Sequence, residues 1–376
     1  MATPHQNIQS FLPLVSSFLF HSEQHLWTVE ACGDHVATWL ESVMRENDRF
    51  LAEVSPARSP ACLQSHARLL FHHAAAARDC ALSEDVKYRA LEMYCSFAPA
   101  HLDAQIAQAR ASTPPGGEQE ERIRRLRARV EQQAPLRALT CLMVACKVAG
   151  ERGVHLDHES LNPRTLQRLL ESEGFLYTIA DIVRSEQRVL EQLEFRCFRT
   201  TTALELLQLL MSAVVLDCLC GGAKDSAFQC QFVNSLETLH RTAVSLLDCA
   251  LLNRKNIYED FYHLLKGRRE IHASHRATFE RISQDRVLFV GSTLVSATWA
   301  VASRRGAARA AACLMARTGI PPGDFLGLSS CIWAVRREKK GLRKRRKLLE
   351  AEQSWWELVR SGQVCFGSSS TEESDN

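Results

Sequence analysis

The chain has 376 residues, 46% of them apolar and 24% charged, with a net charge of +3; this suits two or three domains and excludes a chain disordered throughout. So small a net charge excludes a global field for nucleic acid, so any such contact must rest on a local patch. Fourteen cysteines scattered through apolar segments read as reduced thiols of cytosol or nucleus, not as a secreted disulfide framework.

Phe11, Phe18 and Phe20 lie in an apolar N-terminal stretch with no basic residue before it, so no secretory signal is expected. A leading helix is predicted over 22–54, with Trp27, Val36, Trp39, Leu40 and Val43; Ser55-Pro56 and Ser59-Pro60 then break it. A second helix over 62–80 presents Leu63, Ala67, Leu70 and Phe71. Ser83 caps a third that carries Val86, Ala90, Tyr94 and Phe97. Thr113-Pro114-Pro115-Gly116-Gly117 excludes regular structure over 111–117. The Glu- and Arg-dense stretch after it reads as a solvated helix held by i,i+4 pairs, so 104–134 is an insertion in a loop position.

Pro135 stands where a helix loses nothing by lacking an N–H, and the segment from there to Lys147 is apolar nearly all round, as a helix buried inside a helical domain is. Helices over 162–173 and 178–194 follow. In the latter, Ile179, Ile182, Val189, Leu190 and Leu193 form one stripe, and stepping at about 100° per residue places Glu186 in its middle. A carboxylate on an apolar face is expensive unless paired, and Lys147, a lone cation near a helix C-terminus, is the candidate partner.

Those two segments are also where the chain resembles the cyclin family. Cyclins carry a buried third helix ending Ala-x-Lys, here Ala145-Cys146-Lys147, and a fifth helix of the form Arg-x-Glu-x-x-x-Leu-x-x-Leu-x-Phe, here Arg184 to Phe195. The resemblance implies that Lys147 and Glu186 face a cyclin-dependent kinase and bind backbone groups beside its regulatory helix. Within the family the chain most resembles a divergent group, which implies a role in meiotic recombination and crossover maturation. One departure stands out. Kinase-activating cyclins carry Met-Arg-Ala-Ile-Leu on the first helix, its arginine paired with an aspartate on the second; here the matching residues are Gln64-Ser65-His66-Ala67-Arg68 and Cys95.

Beyond Phe195 the pattern repeats, with helices predicted over 202–220, 232–252, 285–303, 307–318 and 324–333. The uncharged run 287–303 falls short of a spanning helix and reads as the buried centre of a second domain. The expected architecture is all-α and cyclin-like: an extension over 1–61, a cyclin box over 62–199, a second divergent helical domain over 200–335, and a basic segment with a disordered tail over 336–376. Nine of the twelve residues from Arg336 to Lys347 are cationic. Arg343, Lys344, Arg345, Arg346 and Lys347 are the nuclear-import candidate, with the nucleus the expected compartment, cytoplasm a second, and nucleic-acid contact left open.

Signals of catalysis are poor: there is no Gly-x-Ser-x-Gly, no phosphate-binding glycine loop and no His-Glu-x-x-His. His155 and His158 in a polar loop, and Cys218 with Cys220, lack the further ligands that zinc spacing demands. Ser55, Ser59 and Thr113, each before a proline, are proline-directed phosphorylation candidates that serve equally as loop punctuation. The sequence thus predicts a non-enzymatic regulator with no cofactor, metal or membrane segment, whose partner is a cyclin-dependent kinase. The alternative is a kinase-independent cyclin-fold scaffold for recombination, repair or replication factors.

Overall fold

Helix caps and apolar stripes recur along this chain, and its computed structural model is all-α, with no strand among the described residues; those are 29–53, 58–77, 82–150, 161–198, 200–220, 235–267 and 270–338. The chain divides into two compact units, Ser55–Leu204 and a second built from the residues on either side of it.

The leading helix α1 (Val29–Ala52) belongs to the second unit; the first opens with α2 (Pro60–Ala76), whose N-cap Ser59 accepts the Cys62 N–H and whose first position is proline. Ser83 likewise caps α3 (Glu84–Ser112). After α4 (Gly117–Gln132) comes α5 (Ala134–Gly150), apolar on every side, with Leu139, Cys141, Leu142 and Met143 fully buried. It is the axis of the unit: α2, α3, α6 (Pro163–Ser172) and α7 (Ile179–Gln192) all pack on it. Arg89 of α3 holds the segment after α7, donating to the Thr200 carbonyl at 2.7 Å with its guanidinium 4.8 Å from the Phe198 ring centre.

The Glu- and Arg-dense half of the insertion is helical, as expected, but helix also covers 111, 112 and 117, where none was expected. The helix begun at Ser83 runs through Pro99 and on to Ser112, and only 113–116 turn before α4 starts. Ile106 and Ala109 of α3 bury themselves against Ile123 of α4, flanked by Leu102 and Leu126. That small apolar seam carries α3 past residue 104, where the insertion was expected to begin. Limited proteolysis should first cut this turn, and the two fragments should stay together on gel filtration because α3 and α5 share one core. Fragments that separate would refute that shared core.

At the α2 positions compared above with the arginine-bearing signature, the structure shows neutral groups. Ser65 is exposed and donates to the Ala61 carbonyl. His66 lies edge-on to Tyr94, its Nε2 3.5 Å from Cys62 Sγ, and burial drives its pKa down to about 4. His73 and His101 are lowered too, in each case chiefly by burial. An unfolded histidine takes its proton near pH 6.5 and the folded His66 near 4, so the stability that depends on a neutral ring is present above about 6.5 and is lost on descending to about 4. Between about pH 7.5 and 4.5, hydrogen exchange of α2 and α3 should show the native chain losing about 2 kcal/mol more than His66→Phe. Equal losses would show that His66 does not govern the acid limb.

The second unit contains α1 (Val29–Ala52), α8 (Ala203–Cys220, from Glu205), α9 (Leu236–Leu252), α10 (Arg254–Lys266), a 3-10 turn at Ala273–His275, α11 (Arg276–Gln284), α12 (Arg286–Val301), α13 (Arg304–Thr318) and α14 (Pro322–Glu338). The uncharged run is α12, buried at every position from Val287 to Thr298 and surrounded by α9, α13 and α14. No described helix is long and apolar enough to cross a membrane. The leading helix is tied here by a polar knot: Asn47 donates to Asp285 at 3.1 Å and accepts the Arg286 N–H at 3.0 Å, while Glu46 pairs with Arg286 at 3.1 Å. Asp285 caps α12. α10 and α11 are additions that the sequence reading did not place, although Ile257, Tyr258, Phe261 and Tyr262 mark a buried helical face.

Candidate functional site

Lys147 ends the last turn of α5, and Glu186 lies midway along α7. α7 is placed by its start and by its register. At the start, Thr178 and Asp181 form a reciprocal cap in which each side chain accepts the other's backbone N–H. Hydrogen bonds from Thr178, joined by Arg184, hold the Asp181 carboxyl down to about 2. The register is set by one buried bond: Ser185 Oγ meets Thr140 Oγ1 at 2.7 Å, and Thr140 donates onward to the Leu136 carbonyl. Ser185 therefore donates. With Ile182 and Val189 it forms the face that α7 buries.

Glu186 follows Ser185 in the chain and is rotated off that buried face. There Lys147 Nζ donates to Glu186 Oε1 at 2.5 Å, so the structure joins the two residues singled out in the sequence. The side chains are 49% and 17% exposed, respectively, so the pair is no internal strut.

Its surroundings differ from expectation. The single apolar stripe predicted on α7 is two. Ile182 and Val189 face the core, while Ile179 and Val183 face solvent and stand at i and i+4 to Glu186 at i+7, on one helical face. Leu176, just before the helix, is 88% exposed, and Phe195, just after it, is 69% exposed. Phe195 is thrust outward by the chain itself. Its N–H bonds back to the Leu190 carbonyl at 2.8 Å, and both Glu194 and Phe195 adopt left-handed φ, 53° and 58°. Two successive non-glycine residues in that region are strained. Sequence reasoning missed Leu176, Val183 and the display of Phe195. The signal was in the spacing, since Ile179, Val183, Glu186 and Leu190 recur at i, i+4, i+7 and i+11.

Other candidates lie elsewhere. Arg343 to Lys347, His155, His158 and Ser55 fall outside the described residues. Ser59 is occupied as the cap of α2, and Thr113 accepts from Arg122 at 2.7 Å. Cys218 is buried, with its thiol pushed up to about 12 by that burial, which makes it an inert packing group. Comparison with protein-family models, curated proteins and solved structures returns no match.

Proposed function

We propose that the chain is a non-enzymatic, cyclin-like regulator that binds a cyclin-dependent kinase through the first unit. The observation that carries this reading is the outward Lys147–Glu186 pair set within an exposed apolar face. An ion pair so open to water stabilises its own fold by less than about 1 kcal/mol, and exposed Ile179 and Val183 on the same helical face, with exposed Leu176 and Phe195 at the two ends of the helix, favour a protein partner. The regulator acts by position, holding the kinase's regulatory helix so that the kinase's own Lys–Glu pair forms. In this reading both units are cyclin-like boxes; a buried central helix in each, α5 and α12, supports it. The family resemblance implies meiotic recombination and crossover maturation as the process. Direct binding of the purified full-length chain to a panel of cyclin-dependent kinases tests the reading: saturable binding to at least one member is expected, and none across the panel would defeat it.

A second reading, a scaffold for recombination or replication factors that needs no kinase, is favoured by the α3–α4 hairpin, which has an apolar seam of its own. Deleting 104–134 should leave kinase binding intact in the first reading and abolish partner recruitment in the second.

Nuclear residence belongs to the same proposal. Replacing Arg343, Lys344, Arg345, Arg346 and Lys347 by Ala should shift a tagged protein to the cytoplasm, provided that Lys147→Ala and Glu186→Ala remove any carrier kinase. A nuclear signal that persists in the combined variant would refute import through the basic run.

A further inference from the structure

His72 and His73 lie on the last turns of α2, and Glu173 caps the end of α6. Successive residues on a helix point about 100° apart, so two neighbouring side chains do not ordinarily meet at one atom. These do. His73 Nδ1 lies 3.1 Å and His72 Nε2 3.6 Å from the same Glu173 Oε1. One ring uses its near nitrogen and the other its far one, so both rings must be turned to reach the carboxylate. The three donor atoms all lie within 4.8 Å of one another, and no other cluster of three such groups occurs among the described residues.

The spacing has a chemical meaning. Around an ion with bonds of about 2.1 Å in tetrahedral geometry, neighbouring donors stand about 3.4 Å apart. The separations of 3.1 and 3.6 Å fall on either side of that value. Two imidazole nitrogens and one carboxylate oxygen make a donor set for a borderline divalent ion, whereas calcium and magnesium call for oxygen alone. The site is anchored on one side and open on the other. The His73 side chain is 1% exposed and fixed by the core, Glu173 is 18% exposed, and His72 is 70% exposed. Among the described residues His73 Nε2 is buried without a hydrogen-bond partner, and the polar contact that holds this ring there is at Nδ1, facing Glu173. A hydrogen bond between His73 and Glu173 accounts for two of the three groups; an ion pair from a protonated His72 is the competing cause for the third, and it predicts no metal binding.

We propose that His72, His73 and Glu173 bind a zinc-like divalent ion that clamps the end of α2 to the end of α6, with the fourth coordination position open to water. The three residues lie in one unit, and no spacing in the chain announces the site, because Glu173 stands 100 residues from His73.

The test is a Co²⁺ titration of the full-length chain after chelator treatment, followed by absorbance and by metal content. The native chain should bind one equivalent whose visible bands carry no thiolate-to-cobalt charge transfer, marking nitrogen and oxygen ligands. His72→Asn, at an exposed position, and Glu173→Gln should each weaken that equivalent by roughly tenfold or more, while any cobalt held by cysteines stays the same in all three proteins. Zn²⁺ should also slow hydrogen exchange at the ends of α2 and α6 in the native chain and not in His72→Asn. Equal binding in the native chain and both variants, or cobalt spectra of thiolate character only, would overturn the proposal.

Discussion

On the proposed function, truncating Lys147 or Glu186 to alanine should weaken kinase binding by roughly tenfold to a hundredfold and leave the fold unchanged. Each side chain carries one half of a hydrogen-bonded pair at the edge of an apolar patch, where a partner would exclude water and strengthen every polar contact it makes. Removing both should eliminate micromolar binding. Phe195→Ala should cost a similar amount, because a ring that is 69% exposed is available for burial on a partner. Val183→Asp sets a charge in the exposed face one turn from Glu186 and should be as damaging. Lys147→Ala, Phe195→Ala and Val183→Asp should each shift stability by no more than about 0.5 kcal/mol, since they change exposed surface, and Glu186→Ala, at a side chain 17% exposed, should cost less than about 1 kcal/mol. Titration calorimetry and circular dichroism on the same samples separate the two effects. Full affinity in the Lys147→Ala, Glu186→Ala double variant would show that another surface is used.

Gly291→Val should produce the largest loss of stability of any single change discussed here. Gly291 lies inside α12, and a Cβ built there would sit 2.5 Å from Phe325 Cε1 and 3.1 Å from Cδ1. Phe325 is itself fully buried, so it has nowhere to go. Glycine inside a helix is less favourable than alanine by about 1 kcal/mol, so the position is held by packing and not by helix propensity. Overpacking by a branched side chain should cost about 3 kcal/mol, whereas Gly291→Ala should fall between, its gain in propensity opposing the clash. Trp299 and Trp333 stack with ring centres 6.3 Å apart in this same unit, and 55–204 contains no tryptophan. Tryptophan fluorescence melts therefore report the second unit selectively. A Phe325→Leu change should restore much of the loss; a valine variant that melts like the native chain would mean that α12 and α14 do not pack this closely.

The sequence by itself determined the class of the fold and most of its helices. Serines 59 and 83, Asn162, Thr178 and Asp285 cap the helices that they precede, because a side-chain oxygen that accepts the first free N–H groups is a local matter. The burial of α5 and α12 was equally legible, since a helix without a polar face has no stable place but the interior. Lys147 and Glu186 could be paired from spacing and residue type, as an unpaired charge on an apolar face demands a partner.

What the tertiary structure decided is how each apolar residue is used. Ile179 and Ile182 look alike in the sequence, yet one faces water and the other the core, because the Ser185–Thr140 bond sets the rotation of α7 on α5. Arg137 was read as part of an apolar helix. It proves to be 5% exposed, beside Tyr94, Phe97 and His101, with one donation to Gln133; burial, reinforced by Arg188, lowers its pKa to about 10. No periodicity announces such a residue, since its cost is set by neighbours drawn from three helices. Helix α3 outran its expected end because Ile123, on another helix, gave Ile106 something to bury against. The convergence of His72, His73 and Glu173 likewise arises only when α2 and α6 are folded together. Local chemistry fixes where a helix starts, but the register between helices depends on contacts distant in the chain, and those are specified only by the packed whole.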